Sequence, residues 1–187
     1  MPAIFEMELA YSLYEDVQNQ NGNWPRYFKY QKEDLVYITN TYYVVRISKE
    51  AYQMFLELFD DKPELEQIPE RSVDGTINKL WEDIPEKEAE KSPLEWNGSK
   101  VYQIEGEIGL IDKKFSWLYS PNIIYGHINA TAEKVQEPIY FHYKGREEKD
   151  YLSPYAVLMP RKTEGLEKEI KEEISELGLI ESFEVPF

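Results

Sequence analysis

The stretch from Tyr27 to Ile47 limits the fold more than any other part of this chain. Three runs rich in Tyr, Val and Ile, Tyr27 to Gln31, Leu35 to Thr39 and Tyr42 to Ile47, are separated only by Lys32-Glu33-Asp34 and Asn40-Thr41. Aromatic and β-branched residues favour extended backbone, and breaks of two or three polar residues leave room only for tight turns. The spacing therefore predicts an antiparallel meander. Both flanks read as helix. Upstream, Phe5, Leu9, Leu13 and Val17 recur at intervals of four, with Ala10 and Tyr14 on an adjoining line; downstream, Ser48 is placed to cap a helix in which Tyr52, Phe55, Leu56 and Phe59 share a face.

Residues 60–98 shift to Glu, Lys, Asp and Pro and read as an acidic insertion, carrying one short helix on Ile77, Leu80, Trp81 and Ile84 that Pro85 stops. Beyond it, Val101 to Ile104 and Ile108 to Ile111 predict strands, and Asp112 is placed to cap a short helix presenting Phe115, Leu118 and Tyr119. Ile139 to Tyr143 and Tyr155 to Met159 predict a hairpin across the charged loop Lys144 to Asp150. Residues 163–187 read as a C-terminal helix and tail, the helix striped by Leu166, Ile170, Ile174 and Leu177 and ended by Gly178. Helices and antiparallel strands interleave without a βαβ rhythm, so the expected class is α+β: a single domain over 1–187, with an antiparallel sheet packed by amphipathic helices.

Composition sets the chemistry such a domain is suited to. With 36 acids against 21 bases, net charge −15, the average field repels nucleic-acid phosphates and anionic membranes and favours positively charged partners, though the same charge also serves solubility. The absence of Cys excludes disulfides, thiolate zinc sites and cysteine nucleophiles. The opening residues lack the basic n-region of a signal peptide, and no window approaches the roughly 18 apolar residues of a membrane span. A soluble, cytoplasmic protein with no membrane partner is expected, and the Asn97-Gly98-Ser99 and Asn129-Ala130-Thr131 sequons read as coincidental.

Catalytic signatures are missing. His127 and His142 are the only histidines, and there is no G-x-S-x-G elbow, H-E-x-x-H or P-loop, so no catalytic, cofactor-binding or metal-ligating residue is assigned. His142, within IYFHYK, reads as a strand residue with its polar atoms satisfied. A carboxylate-dependent metal hydrolase stays open as an alternative because it needs only two well-spaced acids, but with 36 acids no pair stands out, and Asp60-Asp61 reads as a solvated helix end. WPRYFKYQK, residues 24 to 32, interleaves aromatics with Arg26, Lys29 and Lys32, as a stacking platform for single-stranded nucleic acid does; a strand with one aromatic face in the core gives the same pattern.

Two segments together resemble one domain of the bacterial DNA sliding clamp. LVYITNTYYVVRI, residues 35 to 47, is similar to the clamp element in which a strand ends in a polar turn and a second strand returns, with Thr39-Asn40-Thr41-Tyr42 at the turn. YAVLMPRK, residues 155 to 162, looks like the clamp's closing strand, which ends on a Val-Met-Pro-Met-Arg type sequence. Single-domain clamp-like proteins occur in phages and mobile elements. The resemblance covers about residues 1 to 59 and 99 to 162. It implies that Val157, Met159 and Pro160 line an apolar pocket for short peptides, as the Met-Pro strand does in clamps.

The departures are equally definite. Clamp helices face DNA with Lys and Arg, whereas here the first cation is Arg26 and the leading helix carries Glu6, Glu8, Glu15 and Asp16, which argues against gripping double-stranded DNA. Arg161 stands where the clamps have a second Met, making the expected pocket less apolar, and the chain runs on for 25 residues past Lys162. The expectation is a non-enzymatic interaction module acting in phage or mobile-element DNA metabolism. It binds a peptide, a partner protein or another copy through the 155 to 160 strand or through the apolar C-terminus with Phe183 and Phe187, by apolar burial and strand-edge hydrogen bonds. An acidic decoy that mimics DNA to occupy a cationic groove is the second alternative.

Overall fold

The computed structural model describes residues 4–19, 26–69, 72–119, 126–145, 153–163, 165, 167–176 and 185–186. Helix α1 (Ile4–Asn19) is followed by the meander β1 (Phe28–Lys32), β2 (Leu35–Thr39) and β3 (Tyr43–Ser48), then by α2 (Lys49–Glu57). Both turns are built as the polar breaks foretell. Glu33 and Thr41 take positive φ of 55° and 78°, and the Asn40 side-chain oxygen accepts from the backbone N–H of Tyr42 (3.1 Å) and Tyr43 (3.2 Å). Ser48 caps α2, its hydroxyl accepting from the Ala51 N–H at 3.2 Å.

Residues 60–98 supply more than a helical excursion. They give β4 (Glu66–Gln67), a π-helical turn (Val73–Ile77) running into the single turn α3 (Asn78–Leu80), and a long strand β5 (Glu88–Trp96). β5 pairs with both β8 and β6, so the end of this stretch belongs to the sheet itself. The hairpin β6 (Ser99–Ile104) and β7 (Glu107–Asp112) follows, with a 3-10 segment (Lys113–Leu118) whose first N–H groups include one bonded to the Asp112 carboxylate at 3.1 Å. Then come β8 (Gly126–Thr131), β9 (Ile139–Gly145), β10 (Ala156–Leu158), α4 (Glu167–Glu176) and β11 (Val185–Pro186).

The fold is α+β, and apart from the parallel β1–β4 contact every described pairing is antiparallel. Strands run in the order β4-β1-β2-β3-β10-β9-β8-β5-β6-β7, with β11 added on β5. Past β10 the chain bridges Leu110 of β7 through the Arg161 N–H (2.9 Å), so the far end of the sheet curls back toward its middle. Helices α1 and α2 fill the concave side: Phe5, Leu9, Leu13, Tyr52 and Phe55 share one buried cluster with strand residues such as Ile38, Phe141 and Leu158. On the opposite face of the meander, Ile77, Leu80 and Trp81 from the insertion pack on Tyr37 and Val44. On the outer face of β5–β7, α4 buries Ile170 among Trp96, Val101 and Leu110, and the Trp96 indole N–H donates to Glu173. Among the described residues no helix is long and apolar enough to cross a membrane.

The acids of α1 do not form the charged face that their number suggests. Glu6 is buried, 5% exposed, and its carboxylate accepts from the Ser48 N–H at 2.8 Å, tying α1 to the start of α2. Asp16 accepts from the hydroxyls of Tyr27 (2.7 Å) and the fully buried Tyr43 (2.5 Å). Glu8 is half-buried, one carboxylate oxygen lacks a hydrogen-bond partner, and desolvation raises its pKa. Of the four, only Glu15 is exposed. An acid on the inward line of a helix directs its charge into internal hydrogen bonds, which are worth more there than in water.

Candidate functional site

Sheet register builds the site. Phe28 lies opposite Thr39, Thr39 opposite Val44, and Val44 opposite Val157, so these four side chains form one row across β1, β2, β3 and β10. Directly opposed residues in antiparallel strands point to the same face. This row is the floor of a groove of about 380 Å³. The insertion supplies the wall with Ile68, Pro69, Ser72, Thr76, Ile77 and Leu80, and Tyr42 with Met159 form the opposite lip. The two lip residues are held together by the Met159 N–H donating to the Tyr42 carbonyl at 2.8 Å. That volume lies near the lower end of the range of roughly 300–1,000 Å³ seen for ligand sites.

Tyr42 is 46% and Met159 47% exposed. Large apolar side chains left in water beside an apolar groove mark a surface that gains by being covered. The lining also includes the hydroxyl-bearing residues Thr39, Thr41, Ser72 and Thr76. The Lys114 ammonium stands 5.1 Å from the Tyr42 ring centroid, with Asp112 as a long ion-pair partner at 3.7 Å. A cation therefore sits at the lip of a groove in a chain whose net charge is −15.

The residues singled out by sequence separate here. Val157 and Met159 line the groove, Pro160 is outside its lining, and Phe183 and Phe187 lie outside the described residues. Arg161 leaves the groove altogether: its guanidinium donates to the Asn97 carbonyl (3.2 Å) and the Ser99 hydroxyl (2.9 Å) and lies over the Trp96 ring. The pocket therefore keeps its apolar lining, contrary to what Arg161 suggests in the sequence. Strand-edge bonding at 155–160 is also corrected, because β10 is hydrogen-bonded on both sides, to β3 and to β9. Of the insertion wall, Ile77 and Leu80 stand out in the sequence through their helical spacing, whereas Ile68, Pro69, Ser72 and Thr76 follow no period.

The other candidates resolve into structural roles. In the basic island, Arg26 pairs with Glu66 (3.5 Å), Lys29 lies over the Tyr52 ring (5.5 Å), Tyr27 bonds Asp16, and Tyr30 packs beside Tyr37. Phe28 and Tyr30 share the face of β1 that the insertion packs against, whereas Tyr27, just before the strand, turns to α1, so the three do not make one stacking platform. His142 is satisfied by the hydroxyls of Thr131 (2.8 Å) and Ser153 (3.1 Å). Asp60 and Asp61 are exposed. Among the described residues no group of three or more His, Asp or Glu side chains is arranged to hold a metal ion. Burial, then the neighbouring Asp16 carboxylate, push the Tyr27 and Tyr43 phenols upward, so both stay protonated donors.

Comparison with known proteins finds no match among protein-family models, curated proteins or solved structures.

Proposed function

We propose that this chain is a non-enzymatic protein-interaction module whose groove receives a short apolar segment of a partner protein, flanked by an acidic residue that meets Lys114. One observation carries the reading: two exposed apolar side chains, Tyr42 and Met159, stand at the lip of a groove floored by Phe28, Val44 and Val157. Apolar burial supplies affinity, and the cation at the lip supplies orientation. The similarity of YAVLMPRK and LVYITNTYYVVRI to clamp strands supports a setting in phage or mobile-element DNA metabolism, with the peptide segment of a replication or repair factor as occupant. The charge-mimicry alternative is weakened, because Glu6 and Asp16 of α1 are engaged internally.

The test selects binders from a displayed heptapeptide library on the wild-type chain and measures the selected peptides against Met159→Glu by fluorescence anisotropy. Because Met159 is half-exposed, the substitution leaves the core intact while placing a carboxylate against the apolar occupant. Selected peptides rich in apolar residues, with affinity falling at least about tenfold in the variant, equivalent to about 1.4 kcal/mol, are the expected result. Equal affinity for both chains rejects the groove as the site.

A further inference from the structure

The C-terminal arm follows Gly165 and rests where another strand leaves β5 open. Thr163 is fully buried and its hydroxyl accepts from the Gln136 side chain at 3.1 Å; two residues on, Gly165 has φ 83° and open space where a Cβ would project. The arm then lays Ile170 of α4 into the Trp96, Val101 and Leu110 cluster and pairs β11 with β5, Val185 opposite Lys91 and Pro186 opposite Glu90. β8 pairs with β5 only at Glu88 and Ala89, so the backbone of Glu90 and Lys91 is free of β8 at the place β11 fills.

We propose that this arm, α4 with β11, exchanges between copies, so that the slot on β5 accepts the same arm from a second copy of the chain. Exchange about Gly165 forms the same contacts in trans as in cis, and what it gives up is the high local concentration of a tethered arm. A net charge of −15 on each copy opposes approach, so added salt should favour the exchanged form.

The chain contains no cysteine, which makes the test direct. Full-length Lys91→Cys and Val185→Cys chains are mixed under mild oxidation at about 0.5 mM, close to the millimolar effective concentration of a short tether. A disulfide-linked heterodimer is expected, rising with protein and salt concentration and at least about tenfold above a control in which Lys62→Cys replaces Val185→Cys. The double variant Lys91→Cys/Val185→Cys should close an internal disulfide in dilute solution, and its failure to do so while melting like wild type overturns the slot. Closure in the double variant without heterodimer in the mixture overturns exchange. Native mass spectrometry of wild-type chain mixed with 15N-labelled chain tests exchange without substitutions, mixed-mass dimers being expected and monomer alone at every concentration refuting it.

Discussion

Replacing Gly109 with Ala should destabilise the protein although glycine is there for no conformational reason. Gly109 lies directly opposite Tyr102 across the β6–β7 hairpin, and the Tyr102 ring lies over it. A Cβ at 109 would stand 2.2 Å from Tyr102 Cζ, 2.5 Å from its hydroxyl oxygen and 2.6 Å from Cε1. Carbon atoms prefer about 3.5–4.0 Å, so the ring would have to withdraw by roughly an ångström or more. Tyr102 is fully buried and its hydroxyl donates to the Val135 carbonyl, so withdrawal strains the packing and breaks that bond. Overpacking costs about 1–3 kcal/mol and an orphaned buried hydroxyl about 1–3 kcal/mol, while Ala in place of Gly restricts the unfolded chain and returns about 0.4–1 kcal/mol. The expected net loss is about 1–5 kcal/mol, or roughly 2–20 °C in Tm for a domain of this size. Urea unfolding followed by tryptophan fluorescence should show a lower midpoint at unchanged slope. In a Tyr102→Leu background the same substitution should cost much less, the coupling appearing in the double-mutant cycle. A Gly109→Ala chain within about 0.5 kcal/mol of wild type would show that the ring does not occupy this position.

Asp16→Ala should cost about 1–3 kcal/mol by thermal melting, because the buried Tyr43 hydroxyl loses its acceptor, and Asp16→Asn should recover part of that loss. Glu6→Ala should cost about 1–2 kcal/mol in the same assay, since it removes the acceptor of the Ser48 N–H at the entry to α2. Glu8, raised by desolvation, opposes folding once it ionises; Glu8→Gln should therefore raise Tm at pH 7, the gain fading as pH falls toward the ordinary glutamate pKa of about 4.3 and absent below it. Burial holds the Tyr43 and Tyr155 phenols well above their usual range, so their contribution to stability is present below about pH 10 and lost as pH rises further; alkaline titration should show their ionisation only with unfolding.

Periodicity carried much of the fold, and its failures have physical causes. The stripes of α1 and α2, the meander and the Ser48 cap were legible because each buries large apolar residues at a regular interval. Strand β5, EAEKSPLEW, was not: its fully buried positions include the small residues Ala89 and Ser92, and Pro93 argues against an interior strand. The β5–β6 register shifts between Lys91 and Glu95, a break in the strand that local pattern does not foretell. In β8 the buried Ile128 and Ala130 alternate as a strand should, but they stand between His127, Asn129 and Thr131 and give too weak a signal. Glu6 carried a readable hint, since it lies four residues before Ala10 and seven before Leu13, both buried, yet charge alone cannot show which acid turns inward. Of the candidate site, Val157 and Met159 were legible through the Met-Pro strand. The Phe28, Thr39 and Val44 part of the row follows from the meander, but its continuation to Val157 depends on pairing with a strand far along the chain, and the Ile68, Pro69, Ser72 and Thr76 part of the wall has no local signature.

Whether the groove takes up an apolar peptide is read most directly from methyl resonances. A library-selected peptide titrated into chain labelled at the methyl groups of Met, Val, Ile and Leu should shift Met159, Val44, Val157 and Ile77 together, saturably, while the buried methyls of Leu9 and Leu13 beneath the helices stay in place. Saturable binding that leaves those four groove methyls unmoved would contradict the account.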